Sequence, residues 1–145
     1  MDHQDLAFQL MALFERPIKE EPQTLLVDFS RGEPVLLSLL LRRGVISPGE
    51  AGRTAGVSSA RIAAALRDME RKGWIDRTCD PSDHRRTMIQ LTEAGRAHIL
   101  SLRAAVHTRL QRILKELGEE DAAEYLRISR RIRSIAEAVE KETTE

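Results

Sequence analysis

Residues Asp80–Arg96 read DPSDHRRTMIQLTEAGR, and this stretch decides the fold of the middle of the chain. The Asp-Pro pair is a turn signal, and the alternating apolar residues that follow it are typical of a strand. Trp74 and Ile75 supply a second extended apolar segment before the turn. The stretch therefore predicts a two-stranded hairpin with a charged tip, Asp83-His84-Arg85-Arg86.

The tip of this hairpin is too highly charged to belong to a core, so it faces solvent or a partner. Long basic side chains such as those of Arg85 and Arg86 suit the narrow, strongly negative minor groove of DNA. Asp83 has two interpretations at this stage. It either orients one guanidinium group or only begins the turn.

A short helix is predicted upstream, where Ser47-Pro48-Gly49-Glu50 matches a capping box. In such a box the serine hydroxyl caps a free amide and the carboxylate three residues later reaches back to the first residue. Gly56 ends this helix, because glycine commonly follows the last helical residue.

A second short helix follows within SSARIAAALRDMERKG, capped by Ser58 or Ser59 and stopped at Gly73. Ile62, Leu66 and Met69 form its apolar stripe. Two short helices followed by a hairpin are the elements of a winged helix-turn-helix, which is a mainly α fold with a small sheet (α+β).

In this fold the second short helix enters the DNA major groove by its N-terminal half. Arginine suits that position because its planar fork can bind guanine O6 and N7 together. A solvated helix face would carry the same arginines, so the pattern alone leaves both interpretations open. The residues expected on the outward face are Ser59, Arg61, Ala63, Ala64 and Arg67.

Further amphipathic helices are predicted on both sides of this region. One runs from about residue 4 to residue 16 and is ended or bent by Pro17, and another begins near Pro34 and stops at Gly44. Two long helices separated by Gly118 follow the hairpin. Their apolar stripes are Ile99, Leu102, Val106, Leu110, Ile113 and Leu117, and then Tyr125, Ile128, Ile132, Ile135 and Val139. The second stripe has the spacing of helices that pack against a partner helix.

Composition points to a helical protein of one domain. Of the 145 residues, 32% are charged and 3% are aromatic. The net charge is zero, but residues 53–86 carry eight Lys or Arg against five Asp or Glu. A locally basic surface can attract phosphates, although an imbalance of this size also arises by chance.

A cytoplasmic location is expected from three absences in the sequence. The N-terminus shows no secretory signal. No apolar run approaches the ~20 residues of a membrane span. A lone cysteine, Cys79, forms no internal disulfide and suggests a reducing compartment.

From Gly56 to Gly95 the chain resembles the MarR family of winged helix-turn-helix transcriptional regulators. The family places Asp-x-Arg in the wing and Leu-Thr shortly after it, and Asp83-His84-Arg85 and Leu91-Thr92 fill those positions. Glu70 and Gly73 stand where the family ends its recognition helix with Glu and Gly. The order of predicted helices follows the family along nearly the whole chain.

The resemblance implies one MarR-type domain over residues 1–145, with the DNA-binding part in 32–92 and dimerisation helices in 1–31 and 93–145. It also implies a homodimer that binds a palindromic operator in double-stranded DNA, and often a small-molecule effector. We therefore expect a ligand-responsive repressor. The resemblance assigns Arg85 to the minor groove and Ser58, Ser59, Arg61, Ala63 and Ala64 to the recognition face. Arg67, His84 and Arg86 complete the expected DNA-binding set.

One departure from the family concerns the recognition face. Members commonly carry larger polar residues where this chain has Ala60, Ala63 and Ala64. Thymine-methyl contacts and DNA shape would then matter more than hydrogen bonds to bases. The alternative function is a winged-helix protein-interaction module without DNA binding.

Redox, metal and enzymatic functions are less well supported by the sequence. Cys79 lies on the strand entering the wing, whereas redox-sensing relatives place the reactive thiol in the first helix. The histidines form no i, i+4 pair with a third ligand nearby, so neither a metal nor another cofactor is expected. No glycine-rich phosphate loop or catalytic constellation indicates an enzyme. The histidines are His3, His84, His98 and His107.

Overall fold

The computed structural model describes residues 2–15, 21–29 and 31–144. The chain divides into two compact units, Met1–Val106 and His107–Glu145. The order of elements confirms the predicted mainly α fold with a small sheet, while the proposed division into DNA-binding and dimerisation parts stays a prediction. The elements are α1 (His3–Phe14), α2 (Pro22–Phe29), α3 (Gly32–Arg43), α4 (Pro48–Ala55), α5 (Ser59–Arg71), β1 (Ile75–Cys79), β2 (Thr87–Leu91), α6 (Glu93–Leu117) and α7 (Glu119–Thr144).

Helix α3 forms the centre of the core of the first unit, because its apolar residues are not confined to one stripe. The five consecutive residues 36–40 are all buried. Gly44 follows the helix at φ 81°, and its N–H donates to the Leu40 carbonyl at 2.8 Å. Burying each leucine or isoleucine contributes about 1.5–3 kcal/mol. The buried residues that complete this core are Ile46, Ala51, Ile62, Leu66, Met69, Ile75, Ile89 and Ile99.

Strands β1 and β2 pair antiparallel, with Ile75 opposite Leu91 and Cys79 opposite Thr87. Ile46, between α3 and α4, adds a bridge that the sequence pattern did not predict. Its N–H donates to the Ile89 carbonyl at 3.1 Å, and the Ile89 N–H donates back at 2.8 Å. Both side chains are buried, so the bridge satisfies backbone groups that are shielded from water.

The N-terminal helices differ from the sequence prediction. Helix α1 begins at His3, capped by Asp2, and ends at Phe14, while Pro17 lies outside the described residues. Helix α2 was not predicted, because eight residues are too few to display a helical period. One local signal does mark it, because Pro22 occupies the first turn, where proline is favoured. In the structure the helix buries Leu25.

The capping box at the start of α4 is half confirmed. The Ser47 hydroxyl accepts from the Glu50 N–H at 3.2 Å, as predicted. The predicted return bond from the Glu50 carboxylate is wrong, because that carboxylate accepts from the Arg43 guanidinium at 2.9 Å. A cation at the end of α3 lies within reach and offers a charge-assisted bond instead.

Apolar side chains remain exposed on the terminal helices of each unit. In the second unit, four of the five residues of the predicted α7 stripe, Ile128, Ile132, Ile135 and Val139, are 42–61% exposed, and Tyr125 is half-buried. In the first unit, α1 has no buried residue and exposes Phe8, Leu10, Met11 and Leu13. No helix in the described ranges combines the length and apolar character that a membrane span requires.

A hydrogen-bonded junction joins the end of α5, the end of β2 and the start of α6. We name it the Thr92 junction, and its members are Gly73, Trp74, Thr92 and Gly95. The Thr92 hydroxyl donates to the Gly73 carbonyl at 2.6 Å and accepts from the Gly95 N–H at 3.0 Å. The Thr92 N–H donates to the Trp74 carbonyl at 3.0 Å.

Glycine is required at position 95 because the junction has no space for a side chain. A Cβ atom there would lie 1.9 Å from the Trp74 carbonyl oxygen and 2.7 Å from its carbonyl carbon. Backbone atoms cannot rotate away as a side chain can, so the approach of α6 to the hairpin depends on glycine.

We expect Gly95→Ala to lower the free energy of unfolding by about 2–4 kcal/mol, because α6 must move away from Trp74. Urea denaturation followed by circular dichroism measures this loss. The matched control is Gly49→Ala in α4, where the nearest atom to a Cβ is the end of the Arg53 side chain at 3.4 Å. That variant should keep its stability or gain up to about 1 kcal/mol. Equal effects at both glycines would contradict the steric argument.

Candidate nucleic-acid interface

Helices α4 and α5 are joined by the short turn Gly56–Ser58. Gly56 has φ 64°, a left-handed conformation that glycine adopts without strain. The Val57 N–H donates to the Gly52 carbonyl at 3.1 Å. Ser58 is the cap of α5, since its hydroxyl accepts from the Arg61 N–H at 3.4 Å. The turn thus brings two short helices together in helix-turn-helix order.

The faces of α5 follow from its buried stripe. Ile62, Leu66 and Met69 are buried, as predicted. Helical periodicity places Ala64 and Arg67 directly opposite this stripe, and both are exposed. Arg61 is also exposed, but it lies on the flank of the helix and lines a cavity together with Ile62 and Ala65. Ala63 is half-buried, whereas Ser58 and Ser59 are exposed at the N-terminus.

The cations near the C-terminal end of α5 are neutralised by carboxylates. Lys72 contacts Glu33 at 2.7 Å and Asp68 at 2.8 Å, and Arg71 also binds Asp68. The hydrogen bonds from Lys72 and Arg71 hold the pKa of Asp68 well below its usual range. The Asp68 and Glu33 carboxylates raise the pKa of Lys72. These charges are therefore paired with one another within the protein.

The N-terminal two thirds of α5 differ from its end. The side chains of Arg61 and Arg67 are exposed, and their guanidinium groups make no hydrogen bond or ion pair with any residue that the structure describes. Arg53, in the last turn of α4, is likewise exposed and without a carboxylate partner in the described ranges. Sequence reasoning missed Arg53, although a basic residue one turn before the helix-turn-helix glycine was a usable signal.

Local hydrogen bonds shape the hairpin tip, residues Asp80–Arg86. The Asp83 carboxylate accepts from the Arg85 N–H at 3.1 Å, and the Arg86 N–H donates to the Asp83 carbonyl at 2.9 Å. Of the two interpretations of Asp83, the structure therefore supports the one in which it begins the turn. The Asp80 carboxylate accepts from both the N–H and the hydroxyl of Ser82, at 2.9 and 2.7 Å.

The charges of the tip point into solvent. The bonds from Ser82 lower the pKa of the Asp80 carboxyl, with a smaller effect of Arg86. Arg86 approaches that carboxylate at 4.0 Å. The exposed side chains of His84 and Arg85 contact no carboxylate in the described part of the chain. The tip thus presents His84 and Arg85 without a carboxylate partner among the described residues, and Arg86 with one at 4.0 Å.

Side-chain contacts connect the C-terminal end of α5 to the hairpin, and the hairpin to α6. Arg77 on β1 donates to the Glu70 carboxylate on α5 at 2.9 Å. The Lys72 ammonium, at the end of α5, lies 4.8 Å from the Trp74 ring centroid, and Trp74 stacks on His98 of α6 with ring centroids 3.9 Å apart. The Glu70 position of the family pattern thus holds the helix to the hairpin, and the Gly73 carbonyl accepts from Thr92 at the Thr92 junction.

The remaining candidate ligands do not come together. Among the described residues, no three His, Cys, Asp or Glu side chains are placed to hold a metal ion. His84 lies at the hairpin tip and His98 is stacked on Trp74. Cys79 is exposed at the end of β1.

Comparison with known sequences gives the same family as the motifs. Residues 28–86 match the model of the MarR family. An uncharacterized HTH-type transcriptional regulator of Bacillus subtilis (strain 168), YdgJ, is 27% identical over 99 residues, which cover 68% of this chain and 60% of YdgJ. A second one, YcgE, is 29% identical over 83 residues, covering 57% of this chain and 54% of YcgE. The chain spans little more than half the length of these relatives.

Solved structures share the fold. The YusO protein from Bacillus subtilis superposes with a TM-score of 0.70 at 22% identity, covering 90% of this chain and 94% of YusO. The PcaV transcriptional regulator from Streptomyces coelicolor, in complex with its natural ligand, gives a TM-score of 0.54 at 24% identity, covering 72% and 74%. The winged helix-turn-helix geometry, the Asp-x-Arg and Leu-Thr motifs and the family match agree, and residues 28–86 of this chain are identified with the MarR family.

Proposed function

We propose that this chain is a DNA-binding transcriptional regulator that acts as a homodimer. One observation carries the proposal: the basic side chains divide into a neutralised group at the end of α5 and an unneutralised group on its N-terminal part and on the hairpin tip. Unneutralised guanidinium groups at those two places match the phosphates and grooves that a winged helix-turn-helix meets.

Each part of the interface has a distinct role in this proposal. Helix α5 enters the major groove, where Arg67 and Ser59 reach base edges or phosphates and the small Ala64 allows close approach. Arg85 and His84 at the hairpin tip enter the adjacent minor groove. Arg53 binds phosphate, because the first helix of the motif crosses the DNA backbone. The wider predicted set also includes Ser58, Arg61, Ala63 and Arg86.

The exposed apolar stripe of α7 supports the dimer. Stripes of this size on a helix are normally covered by a partner, and the 3–4 spacing of Ile128, Ile132, Ile135 and Val139 suits a second helix. A two-fold dimer would present two copies of α5 to a palindromic operator, with half-site centres about 10 base pairs apart.

A repressor released by a small molecule is the form of regulation that we propose. The PcaV structure contains the natural ligand of that regulator. MarR-family proteins typically bind DNA as dimers, and some of them bind small molecules. A repressor of this kind needs no catalytic residue.

We expect Arg85→Ala to weaken binding to specific and unrelated duplexes alike, because minor-groove contacts depend mainly on charge and groove width. The salt dependence of log Kd should fall by about 1 per protomer. Fluorescence anisotropy at several salt concentrations, with an operator selected from a random duplex pool, measures both effects. Arg112→Ala on α6 is the matched control and should change neither.

We expect Arg61→Ala to cost about 1–3 kcal/mol on the selected operator and to relax discrimination at one base pair per half-site. Arg61 lies on the flank of α5 and not opposite its buried stripe, so this variant tests whether the flank of the helix also reaches a base. Single-base variants of the operator separate this loss from a uniform phosphate effect. If neither Arg61→Ala nor Arg85→Ala changes the affinity, or no duplex is selected at all, the interaction-module alternative replaces this proposal.

We expect Ile132→Glu to convert the protein into a monomer of 16.4 kDa in light scattering, because it places a charge in the middle of the α7 stripe. Ser134→Glu introduces the same side chain on the opposite face of α7 and should leave the dimer intact. A wild-type protein that is already monomeric at micromolar concentration would rule out the homodimer.

A further inference from the structure

A cavity of about 380 Å³ lies in the first unit, between the start of α3, the helix-turn-helix turn and one flank of α5. Leu36 and Ile62, both buried, form its floor, and Val35 and Val57 form part of its wall. Its volume falls within the range of about 300–1,000 Å³ that is typical of small-molecule sites. None of the contacts described for the DNA-binding surface fills it.

Two basic residues, Arg31 and Arg61, are among those that line this cavity. Both side chains are exposed and neither pairs with a carboxylate among the described residues. Among the described residues that line the cavity none is acidic, and their apolar side chains are all aliphatic.

The combination of an aliphatic interior and two basic lining residues defines the chemistry of the occupant. We propose that this cavity binds a small aliphatic carboxylate, with the carboxylate on Arg31 and Arg61 and the hydrocarbon on Leu36, Val57 and Ile62. Arginine suits the anionic end because its planar fork matches a carboxylate. The hydrocarbon supplies most of the affinity, since charge pairs exposed to water contribute little.

Occupation of this cavity would act on DNA binding through Arg61. The same guanidinium belongs to the predicted recognition face, so a carboxylate that holds it at the cavity withdraws it from DNA. Ligand and operator then compete for one side chain. This second step rests on the proposed function, whereas binding to the cavity does not.

Methyl NMR of the full-length protein tests the cavity directly, with hexanoate as the probe. Sodium hexanoate is titrated at constant ionic strength, and hexanamide and inorganic phosphate are titrated separately. We expect saturable shifts of the Val57 and Ile62 methyl groups with hexanoate, and at least several-fold weaker effects with the other two. If hexanamide bound as tightly as hexanoate, the arginines would have no role in binding. If phosphate bound as tightly as hexanoate, the aliphatic interior would have none.

Variants locate the anionic end of the ligand. Arg31→Gln and Arg61→Gln should each raise the Kd of hexanoate about three- to fivefold, the range expected for solvent-exposed charge pairs. Arg67→Gln, on the same helix but outside the cavity, should leave it unchanged. The methyl groups of Val45, which is exposed and outside the cavity, report non-specific binding to apolar surface. Shifts at Val45 without saturable shifts at Ile62 would overturn the proposal.

The effect on DNA is measured separately, by operator affinity with and without hexanoate. We expect hexanoate to weaken binding of the wild-type protein and to have a smaller effect on Arg61→Gln. Methyl shifts without any change in operator affinity would overturn the competition for Arg61. If the protein binds no duplex, the proposed function fails, and the methyl titration still decides whether the cavity is a carboxylate site.

Discussion

The hydroxyl group of Thr92 holds together the three elements on which the geometry of the first unit depends. It bonds the Gly73 carbonyl, where α5 has just ended, and the Gly95 N–H, where α6 begins. The Thr92 N–H adds a bond to Trp74 at the entrance of β1. Because one residue bonds all three elements, the angle between α5 and the hairpin is set on the side away from the proposed DNA-binding surface. The Leu-Thr motif of the family and the Gly95 that follows it therefore have a structural explanation.

The local charge of each surface of this protein depends on which charged side chains pair with one another, and not on the overall composition. The chain as a whole has no net charge, and some of its carboxylates pair with cations beside the proposed interface, such as Lys72 and Arg77. Arg67 and Arg85 have no such partner among the described residues. A paired guanidinium must give up its carboxylate before it can bind a phosphate, whereas an unpaired one need not. A neutral protein can in this way keep a basic surface where it is needed.

The sequence predicted those features that depend on neighbours along the chain. The stripe of α5, the Ser58 cap, the Gly56 turn and the hairpin each have a signal within a few residues, and each is present. Features that depend on distant contacts were not predictable in the same way. The bridge between Ile46 and Ile89 joins residues far apart in sequence, and a single isoleucine carries no signal of its pairing.

The same distinction applies to the candidate site. Residue spacing placed Arg61 on an exposed side of α5, but the cavity beside it exists only because α3 begins nearby, and no local pattern encodes that approach. Glu50 illustrates the limit for charged side chains: its spacing from Ser47 satisfied the capping box, yet Arg43 of the preceding helix binds its carboxylate. Where several partners lie within reach, tertiary structure decides among them.

The two aspartates of the hairpin tip have a consequence for the thermodynamics of recognition. Asp80 and Asp83 bond backbone or hydroxyl groups two residues ahead, so the loop between the strands is already ordered in the free protein. Fixing one flexible residue costs about 1–2 kcal/mol of conformational entropy. A tip that is ordered before it meets a partner has lost that entropy during folding, and only the long side chains of residues such as Arg85 remain to be immobilised. Binding through this loop would therefore carry a smaller entropic penalty than binding through an unstructured basic arm of the same charge.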